Sequence, residues 1–123
     1  MQLGALVDNK FKETLSKLAT QKLPLKASFA LKATIKVINA ELAKYEVERK
    51  KLLEKFGKHK EDGSLETDDS GGVQFADGNF GLFVHNMTVL NSTEVDIPTV
   101  KVDQLVGADL TVDELLTLDE LIV

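Results

Sequence analysis

Apolar positions in the first sixty residues recur at helical spacing. Val7, Phe11, Leu15 and Leu18 fall at steps of four, four and three, so they line one face of a helix expected over residues 5–20. Thr20 to Leu23 interrupts that face, and Pro24 suits the first turn of a new helix, where its missing N–H is not needed. Beyond it Leu31, Ile35, Ile38, Leu42, Tyr45, Arg49, Leu52 and Phe56 alternate steps of four and three. This heptad-like stripe predicts a helix over residues 24–57, roughly 50 Å long at 1.5 Å per residue. Gly57 stands where a C-cap belongs. Glu46/Lys50 and Glu54/Lys58 provide two i,i+4 pairs in the favourable order. A helix of this length outreaches a small domain. Part of the stripe is therefore expected to pack on the first helix and part to meet another chain.

The pattern then becomes finer-grained. Residues 59–72 are polar and carry the turn dipeptides Asp62-Gly63, Asp68-Asp69 and Gly71-Gly72, which read as a mobile tip or hinge. Val73-Gln74-Phe75 alternates like a strand. Phe80, Phe83, Val84, Met87 and Leu90 fit a helical face, although Phe, Val and Thr lean toward strand; a helix over 79–90, ended by Asn91, is the reading taken. Glu94 to Ile97 and Thr99 to Val102 alternate polar and apolar, two short strands around a bend at Pro98. Thr111-Val112-Asp113-Glu114 is a capping box opening a short helix, with Leu115, Leu116, Leu118, Leu121 and Ile122 as its apolar side. No internal repeat stands out. The expected fold class is α+β, a single domain overall. It comprises an N-terminal helical hairpin with one long helix over 1–60, a polar linker over 61–72, and a small mixed portion over 73–123 packed on the hairpin, with short strands and a C-terminal helix.

Charge adds a second pattern. The chain has 123 residues and a formal net charge of −5. That total hides a division: residues 1–60 balance at +8, and residues 61–123 at −13. Such polarity has two uses. The halves attract each other within one molecule, or a basic face of one copy meets an acidic face of the next. With no cysteine, disulfide scaffolds, thiolate metal sites and cysteine nucleophiles are excluded. No apolar run is long enough to span a bilayer, and the first residues do not read as a signal peptide. The sequons at Asn86 and Asn91 are accordingly read as coincidence.

Candidate chemistry is sparse. His59 and His85 lie 26 residues apart with no partner at ligand spacing, and each reads as an ordinary polar or interface residue. Asp62, Glu66, Asp68 and Asp69 do not follow a calcium-loop pattern. Ser64, Ser70 and Ser92 lack a nucleophile elbow, and Gly57-Lys58 lacks the rest of a phosphate loop. Lys44, Lys50, Lys51, Lys55, Lys58, Lys60 and Arg49 gather at one end of the long helix, as a phosphate-tracking helix requires. Glu41, Glu46, Glu48 and Glu54 are interleaved there, however, and base readout wants more than one arginine. The segment reads as a solvated face or a protein interface rather than a nucleic-acid site. Arg49, on the apolar stripe, has two readings. It snorkels at the edge, or it pairs with an acid such as Asp96 or Asp103 or with one from a neighbouring chain.

Leu23-Pro24-Leu25-Lys26-Ala27, the helix end Glu46-Val47-Glu48-Arg49-Lys50-Lys51-Leu52-Leu53-Glu54-Lys55-Phe56-Gly57, Glu61-Asp62-Gly63, Ser92 to Ile97 and Leu110 to Asp119 together resemble a group of small proteins encoded by tailed bacteriophages and prophages. Over residues 64–90 the chain departs from that group, whose helix there carries more charge. The resemblance implies a phage source and an architecture, and no catalytic residue. The expectation is a non-enzymatic viral protein acting through protein–protein contacts, as a structural component of the virion or of its assembly. The alternative is a small inhibitor or regulator of a host protein, mimicking nucleic acid through the acidic half. Tyr45, Arg49, Leu52, Phe56, Phe80 and Phe83 are the candidate contact residues. No catalytic, metal or cofactor site is expected. The expected partner is a second copy or another phage protein, in a homo-oligomer or larger assembly, in the host cytoplasm during assembly or in the virion, with neither membrane nor nucleic acid.

Overall fold

The computed structural model describes residues 1–123. It corrects the α+β expectation: 56% of the chain is helical and there is no β-sheet. The elements are α1 (Leu3–Leu6), α2 (Asn9–Ala19), α3 (Leu25–Phe56), α4 (Asn79–Asn91), a 3-10 turn at Val102–Gln104, and α5 (Val112–Thr117). The one helix expected over 5–20 is two, because the Asp8 carboxylate accepts from the Phe11 N–H and starts a new helix after Val7. α3 spans 32 residues, about 48 Å at 1.5 Å per residue, with Pro24 at its N-cap.

The segments read as strands are extended but pair only through isolated bridges, Val73 to Thr67 and Phe75 to Gly57 among them. Glu94 makes a single bridge to Gln2, and Val100 one to Ile122. Pro98 turns the chain between them, and its carbonyl accepts the buried Thr34 hydroxyl of α3 at 2.8 Å. Alternation therefore sets Val95, Ile97 and Val100 against helices instead of a sheet. The core gathers Leu3 and Leu6 of α1, Phe11, Leu15 and Leu18 of α2, Ala27, Leu31, Ile38 and Tyr45 of α3, and Val100, Leu105, Leu118 and Leu121 of the last segment. α5 ends at Thr117, earlier than the apolar pattern suggests, so that Leu118 and Leu121 turn fully inward.

The halves of opposite charge meet inside the molecule. Lys10 pairs with Asp113 at 2.8 Å and Lys17 with Glu114 at 2.8 Å, pinning α5 along α2. The Gln21 side chain exchanges two hydrogen bonds with the Asp109 backbone beside them. Along α3 the expected i,i+4 pairs give way to i,i+3 pairs: Glu46 faces Arg49 and Glu48 faces Lys51, while Glu54 holds His59.

The polar stretch after α3 is an ordered tip, and the sequence reading missed its repeat. Lys58 N–H donates to the Gln74 carbonyl at 2.8 Å, Gln74 N–H to Glu66 at 2.9 Å, and Glu66 N–H to Lys58 at 2.7 Å. Three passes of chain, eight residues apart, thus close a ring of backbone hydrogen bonds. Two Asp-Ser turns hold the outer corners. The Asp62 carboxylate accepts from the Ser64 hydroxyl and N–H, and Asp68 from the hydroxyl and N–H of Ser70 and the N–H of Gly72. These hydrogen bonds, from the serine hydroxyls first, hold both carboxyls below their usual range. Gly63 and Gly71, at φ 88° and 85°, supply the left-handed corners.

Candidate protein-contact surface

α4 returns alongside α3. It is tied at its start by the Asn79 amide on the Phe56 carbonyl at 3.3 Å, and at its end by Leu3 N–H on the Thr93 carbonyl at 2.9 Å. Its thirteen residues contain no Asp, Glu, Lys or Arg. Phe83, Met87 and Leu90 turn toward the body of the protein. Apolar side chains also lie in solvent on both flanks: Phe80 is 59% exposed, Leu82 51%, Val84 45% and Val89 58%, with the polar His85 and Thr88 on the strip between them. Leu82 and Val89, seven residues apart, stack in one row, and Phe80 and Val84 in another. A charge-free helix that leaves apolar side chains on both flanks in solvent is one that a partner can cover.

Of the residues singled out in the sequence, the structure divides one set from another. Tyr45 and Phe56 are buried and Leu52 is half-buried, so the far part of the stripe faces inward. α4 packs on α3 and supplies the cover that the stripe was expected to find in another chain. Arg49 takes the edge position with Glu46 at 3.9 Å; neither Asp96 nor Asp103 is its partner. Phe80 and Phe83 do come together, through a residue that was read only as part of a strand. Phe75, on the third pass of the tip, lies 5.4 Å from Phe80 edge-on and 5.0 Å from Phe83.

Leu82, Val84 and Val89 were missed. The signal was present as an absence of charge over residues 78–93, in a chain that is 28% charged. Also missed was an open groove between α2 and α3, about 480 Å³ in volume, floored by Phe11, Leu15, Ile35, Ile38 and Leu42. It opens from the near half of the same stripe. The basic end of α3 is partly neutralised in place, with Lys44 on Glu41, Lys51 on Glu48 and Lys58 on Glu66. His85 is exposed on α4, away from His59.

No family model, no curated protein and no solved structure matches the chain. No helix is long and apolar enough to cross a membrane.

Proposed function

We propose that this chain is a non-enzymatic component of a tailed-phage particle or of its assembly, and that it works by binding another protein through α4. One observation carries the reading: a charge-free helix with Phe80, Leu82, Val84 and Val89 in solvent. Interface centres are depleted of charge and enriched in aromatic side chains, and α4 with the Phe75–Phe80–Phe83 cluster has both properties. The lysines at the end of α3 favour a protein over a nucleic acid as partner, because glutamates beside them already hold half of them and the single arginine. The phage-like motifs around Pro24, Arg49 to Gly57 and Thr111 supply the setting: the host cytoplasm during assembly, or the virion.

The test is mass spectrometry of gradient-purified particles from cells producing either the wild-type chain or Leu82→Glu/Val89→Glu. Both positions are exposed, and circular dichroism checks that the variant stays folded. The expected result is a fixed copy number for the wild-type chain and a loss of about tenfold or more for the variant, as when an apolar anchor is removed from an interface centre. A chain absent from particles and recovered with a host protein overturns the reading in favour of a host-directed regulator.

A further inference from the structure

We infer that copies of this chain join head to tail, the outer face of α5 from one copy seated in the α2–α3 groove of the next. The inference rests on the reading that the chain works through protein contacts. It adds a second surface and names the occupant.

The groove has the form of a receptor for an amphipathic helix. Its floor is apolar, and it continues past Ala19 and Ile35 into a second depression lined by Leu23, Leu31, Lys32 and Lys36. Its charged lining residues, Lys12, Lys32 and Lys36, are all cationic, and none of the three is in an ion pair. The occupant this surface calls for is a short helix with apolar anchors at i, i+3 and i+4 and acids beside them.

The chain itself carries such a helix. α5 turns Asp113 and Glu114 toward α2 and holds Val112, Leu115 and Leu116 outward, with Val112 75% and Leu116 66% exposed. Asp109 and Asp119, both exposed and free of ion pairs, flank those anchors. Three outward apolar side chains with neighbouring carboxylates match an apolar floor with three unpaired lysines.

Geometry forbids the contact within one molecule. On α2, Lys10 and Lys17 form the edge that holds α5, whereas Lys12, Ser16 and Ala19 form the edge that opens on the groove. At 100° per residue the centres of these edges lie about 145° apart. The two surfaces therefore sit on opposite sides of α2, and the contact between copies is heterologous, giving a ring or a filament. The exposed area accommodates this. The accessible surface is 8015 Å², about 1,500 Å² more than a compact monomer of this mass shows. A standard interface takes about 800 Å² from each side, and a copy inside such an array contributes two sides.

The experiment mixes two variants of the full chain, each disabled at one surface by substitutions at solvent-facing positions. Lys32→Glu/Lys36→Glu reverses the groove rim, and Val112→Gln/Leu116→Gln removes the anchors. Light scattering at low salt reads the masses. The wild-type chain is expected to form a concentration-dependent series, each variant alone to stay at the 13.5 kDa chain mass, and the mixture to stop at a pair, because one intact groove meets one intact α5. A wild-type monomer, variants that assemble as the wild-type chain does, or a mixture that stays monomeric overturns the inference. Incorporation into particles that still depends on Leu82 and Val89 leaves the α4 reading standing in each of those cases.

Discussion

Gly57 occupies a position that excludes every larger residue. Its φ of −68° is open to any amino acid, so conformation does not demand glycine there. Space does: a Cβ would lie 2.5 Å from the Leu53 carbonyl oxygen and 2.7 Å from Leu65 Cδ2. The residue sits where α3 enters the tip, and Leu65 and Val73 close over it from the two later passes. Gly57→Ala is expected to destabilise the protein by about 1–3 kcal/mol, the range for overpacking, in urea unfolding. Gly81→Ala in α4, where an added Cβ meets nothing within 4 Å, is expected to stabilise it by roughly 0.5–1 kcal/mol. The sequence places a glycine at the end of a helical stripe, and a left-handed cap is the usual reason for one. The actual reason is the nearness of the Leu53 carbonyl together with contacts to residues eight and sixteen positions on, which no local pattern records. One cap made within three residues was legible, Thr111 and Glu114 forming both bonds of the capping box, whereas the Asp8 cap on Phe11 that divides the first helix was not.

Among the elements, those that depend on nearest neighbours were readable and those that depend on distant ones were not. α3 and α4 follow from apolar spacing. The strands do not survive, because alternation around Pro98 specifies extended backbone and says nothing of its partner; Gln2, Ile122 and Thr34 take that place. The tip was read as loose because its residues are polar, and its order comes from the backbone ring and the Asp62 and Asp68 turns. Of the candidate contact residues, Phe80 and Phe83 stood out as aromatics and gather around Phe75, whereas Tyr45 and Phe56 are buried and Leu52 is half-buried on the helix that α4 packs against. Two ion pairs add to the buried Leu118 and Leu121 in holding α5, so part of its docking follows pH. The Lys17 ammonium, by its hydrogen bond, holds the Glu114 carboxyl below its usual range, and the Glu114 carboxylate raises Lys17. A lowered carboxyl pKa contributes stability above the ordinary carboxylate range and loses it as pH falls through the lowered value. The raised lysine loses its contribution only as pH rises through the lysine range. Backbone amide exchange of residues 112–118, corrected for intrinsic rate, is expected to speed up in acid and again in strong alkali. Glu114→Gln should make exchange there faster at neutral pH and flatten the acid limb.

As a whole molecule the chain is a rod of about 48 Å with a small body built on it. Only seventeen residues are buried, and apolar side chains remain in solvent on α4, on α5 and at the start of α3, where Leu25 and Phe29 stand out. The opposite charges of the two halves are partly joined along α2 and α5, which leaves the lysines of the groove, and Asp109 and Asp119 on either side of α5, out of ion pairs. The central claim is that these remainders meet between copies. Light scattering of the wild-type chain at about 50 mM and about 500 mM salt tests it most directly, since the screening length falls from roughly 14 Å to roughly 4 Å. The account predicts masses above 13.5 kDa that grow with concentration at the lower salt and fall toward that value at the higher. A mass of 13.5 kDa at both salts and every concentration, or an oligomer indifferent to salt, contradicts it.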